Sequence, residues 1–521
     1  MKKIWFENKW VIIFSLFVIV ITTIPYWIGF NLQNELYKFS GFIIGVEDGN
    51  SYLAKMMLGA SGDWLFTTPY TAYTQMKFFA FFPYILLGKL TSPPEQTLQF
   101  ICLFHLFRWV GILFLVKETY SFSLLFVKEK NTALVTTVLL VFGGGFGWLS
   151  IIFPQINNNR LPLEFYSPET FGYLSFFSLP HLLFARGFLY RAFRTFLSIN
   201  NKIDYPSIEY VKSGFSLLLS GIFQPLNIFI GWLVVGSFFL YKLFIIRFPI
   251  KILKEYLFWI VPSIPLFFYN FFSFLFDPYL SAWQNQNRII SPPVVDYLLA
   301  YGIGLLFIFI TIKNKEVIKI KNLAFINIWI FLIPVLAYFP INIQRRLTEG
   351  VWLCFCIYIG MIVMRKKKIL TRFIIVTFFL FSYLFFTIGS LGTVLNVNKP
   401  IYNSNSFIGV ANSLDQEIVK GDVILAPYHE SNLLPVFLPI KVITGHGPES
   451  KNLSVISNII DSFFKGKLST AETQEFLVGF DIKYIIVPQK LDLNNIFLQL
   501  ENTHWQILYK NSDYAVVRLD D

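Results

Sequence analysis

The chain has 521 residues, 55% of them apolar and only 14% charged, with 61 Phe and a formal net charge of +12. Soluble globular chains carry roughly 25% charged residues, so this balance excludes an ordinary soluble enzyme and describes a polytopic α-helical membrane protein. Cys102, Cys354 and Cys356 all fall inside apolar segments, which offers neither a disulfide framework nor a metal-binding cysteine cluster.

The start, Met1-Lys-Lys-Ile-Trp, has the basic character of a signal peptide. The apolar run from Trp10 to Phe30 approaches the ~20 residues of a spanning helix, and no small-residue cleavage site follows it, so a retained first helix is expected. A first outer loop, residues 31–76, comes next and holds Glu47-Asp48-Gly-Asn-Ser-Tyr52 and Gly62-Asp63-Trp64. Further spans are expected over Phe78–Leu90, Phe100–Val116, Ala133–Phe153, Phe171–Tyr190 and Gly214–Ile246, the last broken at Gln224-Pro225. Tyr256–Phe276, Val294–Ile312, Leu323–Ile341, Val351–Met364 and Phe373–Leu395 follow. The total is about 11 to 13 transmembrane helices, open because Phe100–Val127 reads as one crossing or two.

Basic loops orient these spans. Lys2, Lys3 and Lys9, the four lysines of Lys313–Lys321, and Arg365-Lys-Lys-Lys368 with Arg372 belong on the cytoplasmic side. The positive charge is thus a topology signal and not a nucleic-acid footprint, and no nucleic acid is expected as a partner. The Glu47-Asp48 loop, Asn157–Thr170, Asp277–Pro293, Asn342–Gly350 and the tail after Leu395 then face outward from a multi-pass protein of the plasma membrane.

The tail has its own character. From Lys399 on, it carries fourteen acidic and ten basic residues, a net of −4 against +12 for the whole chain. Val423–Ala426, Lys441–Thr444 and Tyr484–Val487 have strand length, Val455–Phe464 and Ala471–Val478 have helical spacing, and Trp505–Tyr509 with Tyr514–Arg518 reads as a hairpin. Residues 1–395 are therefore expected to form a transmembrane domain and 396–521 an extracytoplasmic α/β domain, joined by a linker over Asn396–Asn405. Gly445-His-Gly-Pro-Glu449 is the tail's one polar, glycine-rich loop, either a plain turn or a binding loop.

Asp48 and Glu47 are the candidate catalytic residues. Adjacent acids repel, which raises one of them toward a useful range for a general base. The simpler alternative is a solvated loop or a helix N-terminus, where acids are favoured. Arg345 and Arg346, at the outer end of a span, have the planar donor fork that suits a phosphate, with interfacial snorkelling as the plain alternative. His105 and Arg108 share a helix face within a span and serve either a substrate site or a structural network. His181 follows Pro180 where an outer cavity would open. Arg288, with Asn285 and Asn287, stands in an outer loop within reach of a substrate. Glu164 and Glu169 read as caps for a helix beginning near Phe171.

The first loop resembles that of the GT-C superfamily of polyprenyl-phosphate-sugar-dependent glycosyltransferases, in particular relatives of the lipid A aminoarabinose transferases and the protein mannosyltransferases. In those, an Asp-Glu pair after the first helix precedes a Tyr and then a Met…Ser-Gly-Asp-Trp run. Asp48, Tyr52 and Met57…Ser61-Gly-Asp-Trp64 match in turn. Gly49 stands where the second acid belongs, and Glu47 precedes Asp48 instead. The whole chain also looks like a group of bacterial GT-C-like membrane proteins. Phe142-Gly-Gly-Gly-Phe-Gly-Trp148, Pro168-Glu-Thr-Phe171, Pro180-His181, Gln224-Pro-Leu, Ser291-Pro-Pro293, Gln344-Arg-Arg346 and Gly445-His446-Gly carry that likeness.

The resemblance implies a glycosyltransferase that moves a sugar from a polyprenyl-phosphate donor to an extracytoplasmic glycan, lipid or protein. Asp48 and Glu47 would act on the acceptor, while Tyr52, Arg345, Arg346, His181, Arg288, His105 and Arg108 would bind substrate. The partners are then the lipid-linked donor, the acceptor and the bilayer. No cofactor is specified, and a divalent metal requirement stays open. The alternative is a non-catalytic carrier, flippase or assembly factor for surface polysaccharide on the same scaffold. A transporter would be expected to show an internal repeat, and none is found.

Overall fold

The structure is a computed structural model and describes residues 9–200, 206–245, 251–313, 320, 322–491, 493–501 and 503–520. Among the described residues, seven helices are long and apolar enough to cross a membrane, or eight with the bent pair Ile369–Phe379 and Phe381–Leu395 taken as one span. This is a multi-pass membrane protein. Lys2, Lys3, Lys315, Lys319 and Lys321 of the expected basic segments lie outside the described residues, whereas Arg365–Lys368 are exposed.

Several expected spans are resolved or shortened. Gln96–Ser123 is one continuous 28-residue helix, so the region left open is a single crossing. Phe78–Leu90 contains only the seven-residue helix Phe82–Gly88, too short to span. The break at Gln224-Pro225 is present between Ser207–Phe223 and Leu226–Phe244. Gln224 is extended because a residue before proline avoids the helical region. Leu323–Ile341 becomes Leu323–Phe331 and Ile333–Ala337, each shorter than a full crossing.

The chain divides into two compact units, neither contiguous in sequence. One comprises Met1–Ile24, Leu106–Phe272 and Arg288–Gly392. Trp259, Trp329 and Trp352 are fully buried in it, and so are Arg108 and Arg186. Buried charges need partners, and here Arg186 pairs with Glu349 while Arg194 Nη2 lies 3.0 Å from Glu118 Oε2. The glycine run after Phe142 is also explained here. Gly145 and Gly147 donate their N–H groups to Glu164 Oε1 at 3.0 and 2.8 Å. A Cβ on Gly147 would stand 1.7 Å from Glu164 Oε2. Glu164 therefore holds the glycine turn and does not cap the helix near Phe171.

The other unit comprises Pro25–His105, Ser273–Asn287 and Thr393–Asp521. Its strands are β1 (Tyr37–Phe39), β2 (Tyr402–Ser404), β3 (Val423–Leu425), β4 (Lys441–Val442), β5 (Ile482–Pro488), β6 (Trp505–Lys510) and β7 (Tyr514–Leu519). β1 and β2 pair antiparallel, so part of the expected linker over Asn396–Asn405 is a strand. The remaining five form a mixed sheet in the order β4-β3-β5-β7-β6, with β3 parallel to both β4 and β5. Leu425, Ile485, Val487 and Val517 of this sheet pack with Ile456, Phe463 and Phe476 in one core. Ser469 and Glu472 start the Thr470–Gly479 helix with a reciprocal capping box.

Candidate functional site

Glu47 and Asp48 occupy the first turn of a 15-residue helix, Val46–Ala60. Gly45 precedes it in the left-handed conformation, with φ of 60°. The partial positive charge of a helix N-terminus favours acids there by about 0.3–1 kcal/mol. That explains why two carboxylates are tolerated in sequence neighbours, and it leaves both exposed. The opposite face is buried through Val46, Leu53, Met56 and Met57. The far end lies tight against Phe82–Gly88, where a Cβ on Gly59 would stand 1.9 Å from the Ile85 carbonyl oxygen.

Gly49 has a packing cause. A Cβ there would stand 2.4 Å from Cγ of the buried Phe42 ring. No second acid fits at this position. Gly49→Ala is expected to cost about 1–3 kcal/mol through overpacking. Gly49→Asp should lower the thermal midpoint of the detergent-solubilised protein further. A stable, well-folded Gly49→Asp protein would refute this packing argument.

Behind Asp48 runs a line of alternating charges. Asp48 Oδ1 lies 3.0 Å from His446 Nε2, with the Asp48 side chain 56% exposed and His446 7%. His446 Nδ1 stands 3.2 Å from Glu449 Oε1, an ion-pair separation without hydrogen-bond alignment. Glu449 Oε1 accepts from Lys55 Nζ at 2.6 Å and from Ser51 Oγ at 2.8 Å, and its Oε2 accepts from Thr68 Oγ1 at 2.6 Å. Lys55 also donates to Ser51 Oγ and sits over the Phe81 ring, 4.2 Å from its centroid. Asp48, Ser51 and Lys55 recur at helical spacing, which places them along one face of the Val46–Ala60 helix.

The electrostatics follow from burial and contact. Burial opposes the charge on His446, but the hydrogen bond to Asp48 and the adjacent Glu449 outweigh it and raise the imidazole to about 9. Its Nε2–H therefore donates to the Asp48 carboxylate. Burial also opposes the charge on Glu449, yet Lys55 and His446 hold this carboxyl well below the usual range. Burial pulls Lys55 below its ordinary value, and Glu449 pulls it back. With a 2.6 Å contact between them, the pair is ionised.

The partners of the acid pair come from the ends of parallel strands. β3 leads into the Tyr428–Phe437 helix and β4 into the Gly445–Ser450 loop. In open α/β sheets, ligands gather beyond the carboxyl ends of the strands. Tyr428 Oη donates to Glu47 Oε2 at 3.2 Å and accepts from Gly447 N–H at 2.9 Å. Asn432 Oδ1 accepts from Asn50 Nδ2 at 2.8 Å. Tyr279 Oη donates to the Glu449 carbonyl at 2.9 Å, and Ser450 Oγ accepts from Gly445 N–H at 3.1 Å. The Gly445–Ser450 loop is thus built to present His446.

Of the predicted site residues, Glu47, Asp48, Tyr52 and His105 belong to this unit. Tyr52 stacks on Tyr84 with centroids 4.6 Å apart. His105 is buried, with Nε2 3.1 Å from the Gly41 carbonyl oxygen. Arg108, Arg288, His181, Arg345 and Arg346 belong to the other unit. Arg108 donates to Thr22 Oγ1 and Thr23 Oγ1 at 2.9 Å and to the Phe176 carbonyl at 3.0 Å, the pattern of a structural clip between helices. Arg346 Nε lies 3.2 Å from Glu169 Oε1, which gives Glu169 an ion-pair role in place of the expected cap. Arg345 stacks on Tyr166, 4.7 Å from the ring centroid, and its buried Nε has no hydrogen-bond partner among the described residues. Arg288 is exposed, and His181 is half-buried in the first turn of Pro180–Asn200.

Sequence reasoning flagged His446 and Glu449 only as part of a loop that is either a plain turn or a binding loop, and it left out Lys55. The signals were the Gly445-His446-Gly motif and the lysine seven residues after Asp48 on one helix face. Among the described residues, no group of three or more His, Cys, Asp or Glu is arranged to hold a metal ion.

No protein-family model matches the sequence, and no curated protein matches it. Solved structures do. ArnT from Cupriavidus metallidurans bound to undecaprenyl phosphate aligns with a TM-score of 0.56 at 11% identity, over 98% of each chain. The apo oligosaccharyltransferase of Archaeoglobus fulgidus aligns with a TM-score of 0.57 at 10% identity, over 93% of this chain and 70% of that one. The archaeal oligosaccharyltransferase AglB from the same organism, in complex with an inhibitory peptide and a dolichol-phosphate, gives 0.54 at 11% identity. At such identities the likeness is one of fold. The chain is a multi-pass helical membrane protein with a C-terminal β-sheet region and a GT-C-like fold.

Proposed function

We propose that this protein is a glycosyltransferase that moves a sugar from a polyprenyl-phosphate donor to an extracytoplasmic acceptor. One observation carries the reading: an exposed carboxylate, Asp48, is anchored from behind by a charged hydrogen-bond donor. The similarity in fold to proteins solved with undecaprenyl phosphate and dolichol-phosphate supports the lipid-linked donor. On this reading residues 1–395 are the membrane portion and 396–521 the extracytoplasmic domain.

In the reaction, an acceptor oxygen or nitrogen attacks the anomeric carbon as the bond from that carbon to the phosphate oxygen breaks. The acceptor's proton passes to Asp48, and the lipid phosphate departs with the electron pair. A positioned base contributes about 10²–10⁴-fold. Glu47, tied to Tyr428, is the second acid at the acceptor side.

Arg345 is the arginine assigned to the phosphate. Arg346 is neutralised by Glu169, whereas Arg345 keeps donors to spare. Arg345→Ala should weaken binding of a polyprenyl phosphate by about tenfold to a hundredfold, the worth of a charged hydrogen bond. Arg346→Ala should instead lower thermal stability. The test is a panel of labelled polyprenyl-phosphate sugars given to the purified protein in nanodiscs, read as donor binding and release of lipid phosphate. Turnover with any acceptor supports the reading. Donor binding without turnover would identify the carrier alternative, and no binding across the panel would sink both.

A further inference from the structure

We propose that His446 is a positioning residue: its imidazolium holds one oxygen of Asp48 and so sets the rotation of the carboxylate toward the acceptor. The inference rests on the glycosyltransferase reading for its kinetic consequences, and the side-chain pairing itself is testable without it.

The charge line is fixed at its inner end and exposed at its outer one. Glu449 is fully enclosed and receives Lys55, Ser51 and Thr68, so it is immobile. His446 lies between that fixed anion and Asp48 and is itself buried. A hydrogen bond from a fixed, buried donor to an exposed acid removes rotamers that the acid would otherwise sample. Two neighbours close the site. The Tyr70 ring lies 5.5 Å from the imidazole, and Tyr428 binds Gly447 beside it.

The titratable groups against His446 are Asp48 and Lys55 of the Val46–Ala60 helix, Glu449 of its own loop and the phenol of Tyr70; Tyr428, bound to Gly447, links Glu47 to the loop, and Tyr279 binds the Glu449 carbonyl. Burial and the Lys55 ammonium oppose the imidazolium, and the Asp48 and Glu449 carboxylates outweigh them. The clamp is therefore set at neutral pH and released as pH rises through the imidazole's titration. A His446 acting as the base itself would give the opposite limb, with activity lost on acidification.

The experiment uses the full-length protein in detergent with ¹³C-labelled histidine. Five histidines are present, and His446→Gln identifies the signal by its absence. The expected result is a titration well above the ordinary imidazole value of about 6.5, moved down in Asp48→Asn. An ordinary titration that Asp48→Asn does not move would overturn the proposal whatever the enzyme does. Where turnover is measurable, His446→Ala should lower kcat by about 100-fold, the cost of a misplaced catalytic group, with KM little changed. His446→Gln retains a neutral donor and should recover part of kcat while losing the alkaline limb of the pH profile. Equal loss in Ala and Gln variants, with the wild-type pH profile retained, would also overturn it. A shifted titration with no turnover on any donor would leave the pairing standing and remove only the glycosyltransferase reading.

Discussion

Asp48→Asn is expected to reduce kcat by about 10²–10⁴-fold, the range for loss of a positioned general base, with donor affinity unchanged. The substitution is nearly isosteric, and its carbonyl oxygen can still accept from His446 Nε2 at the 3.0 Å position. Its cost to the helix N-terminus is limited to about 0.3–1 kcal/mol, so the protein should fold and bind lipid donor normally. The substitution removes the negative charge and with it the basicity, while shape and acceptor oxygen are kept. Glu47→Gln is the companion variant. Its carboxylate accepts from the Tyr428 hydroxyl at 3.2 Å, and a smaller effect is expected. Wild-type turnover in Asp48→Asn would reject Asp48 as the base.

Glu449→Gln should be among the most destabilising single changes in the chain, at about 3–5 kcal/mol. Lys55 is fully buried, and its compensating anion is Glu449. Removing that charge leaves an ammonium enclosed by Phe66, Phe81 and Tyr52, whose ring faces recover only about 2 kcal/mol. The double replacement Lys55→Met with Glu449→Gln removes both charges. It should be more stable than Glu449→Gln alone, because buried ion pairs are replaceable by apolar contacts at little cost. Thermal unfolding of the wild type and of these two variants reads this directly. A double variant no more stable than the single would reject the charge argument.

The same cluster sets a pH window. Glu449 is held below its ordinary 4.5, so its contribution is present above that value and is lost as pH falls through the lowered one. His446 is raised, so its contribution is complete below 6.5 and is lost as pH rises through about 9. Stability from these two groups is therefore greatest between about 4.5 and 6.5 and declines on the alkaline side. His446→Gln should remove that alkaline decline.

Much of this molecule was legible in the sequence because the signals are local. Hydrophobic runs of crossing length identify the membrane helices. The strands over Val423–Leu425 and Ile482–Pro488, and the Trp505–Leu519 hairpin, were readable as short apolar runs flanked by turn residues. Pro225 marked its helix break through its ring alone. Asp48 stood out because carboxylates are rare in so apolar a chain.

What the sequence could not supply is any relation between distant positions. Nothing in the local pattern at Gly49 reveals Phe42 filling the space where an acid would go. Arg345 and Arg346 are neighbours of identical chemistry, and only Glu169 and Tyr166 distinguish them. His446 lies 398 positions from Asp48 and Glu449 lies 394 from Lys55. The sequence by itself determined a multi-pass membrane protein with an α/β tail and an acid at the first loop. The tertiary structure alone decided which buried charges neutralise one another, because burial and Coulomb attraction act through space and leave no periodic trace along the chain.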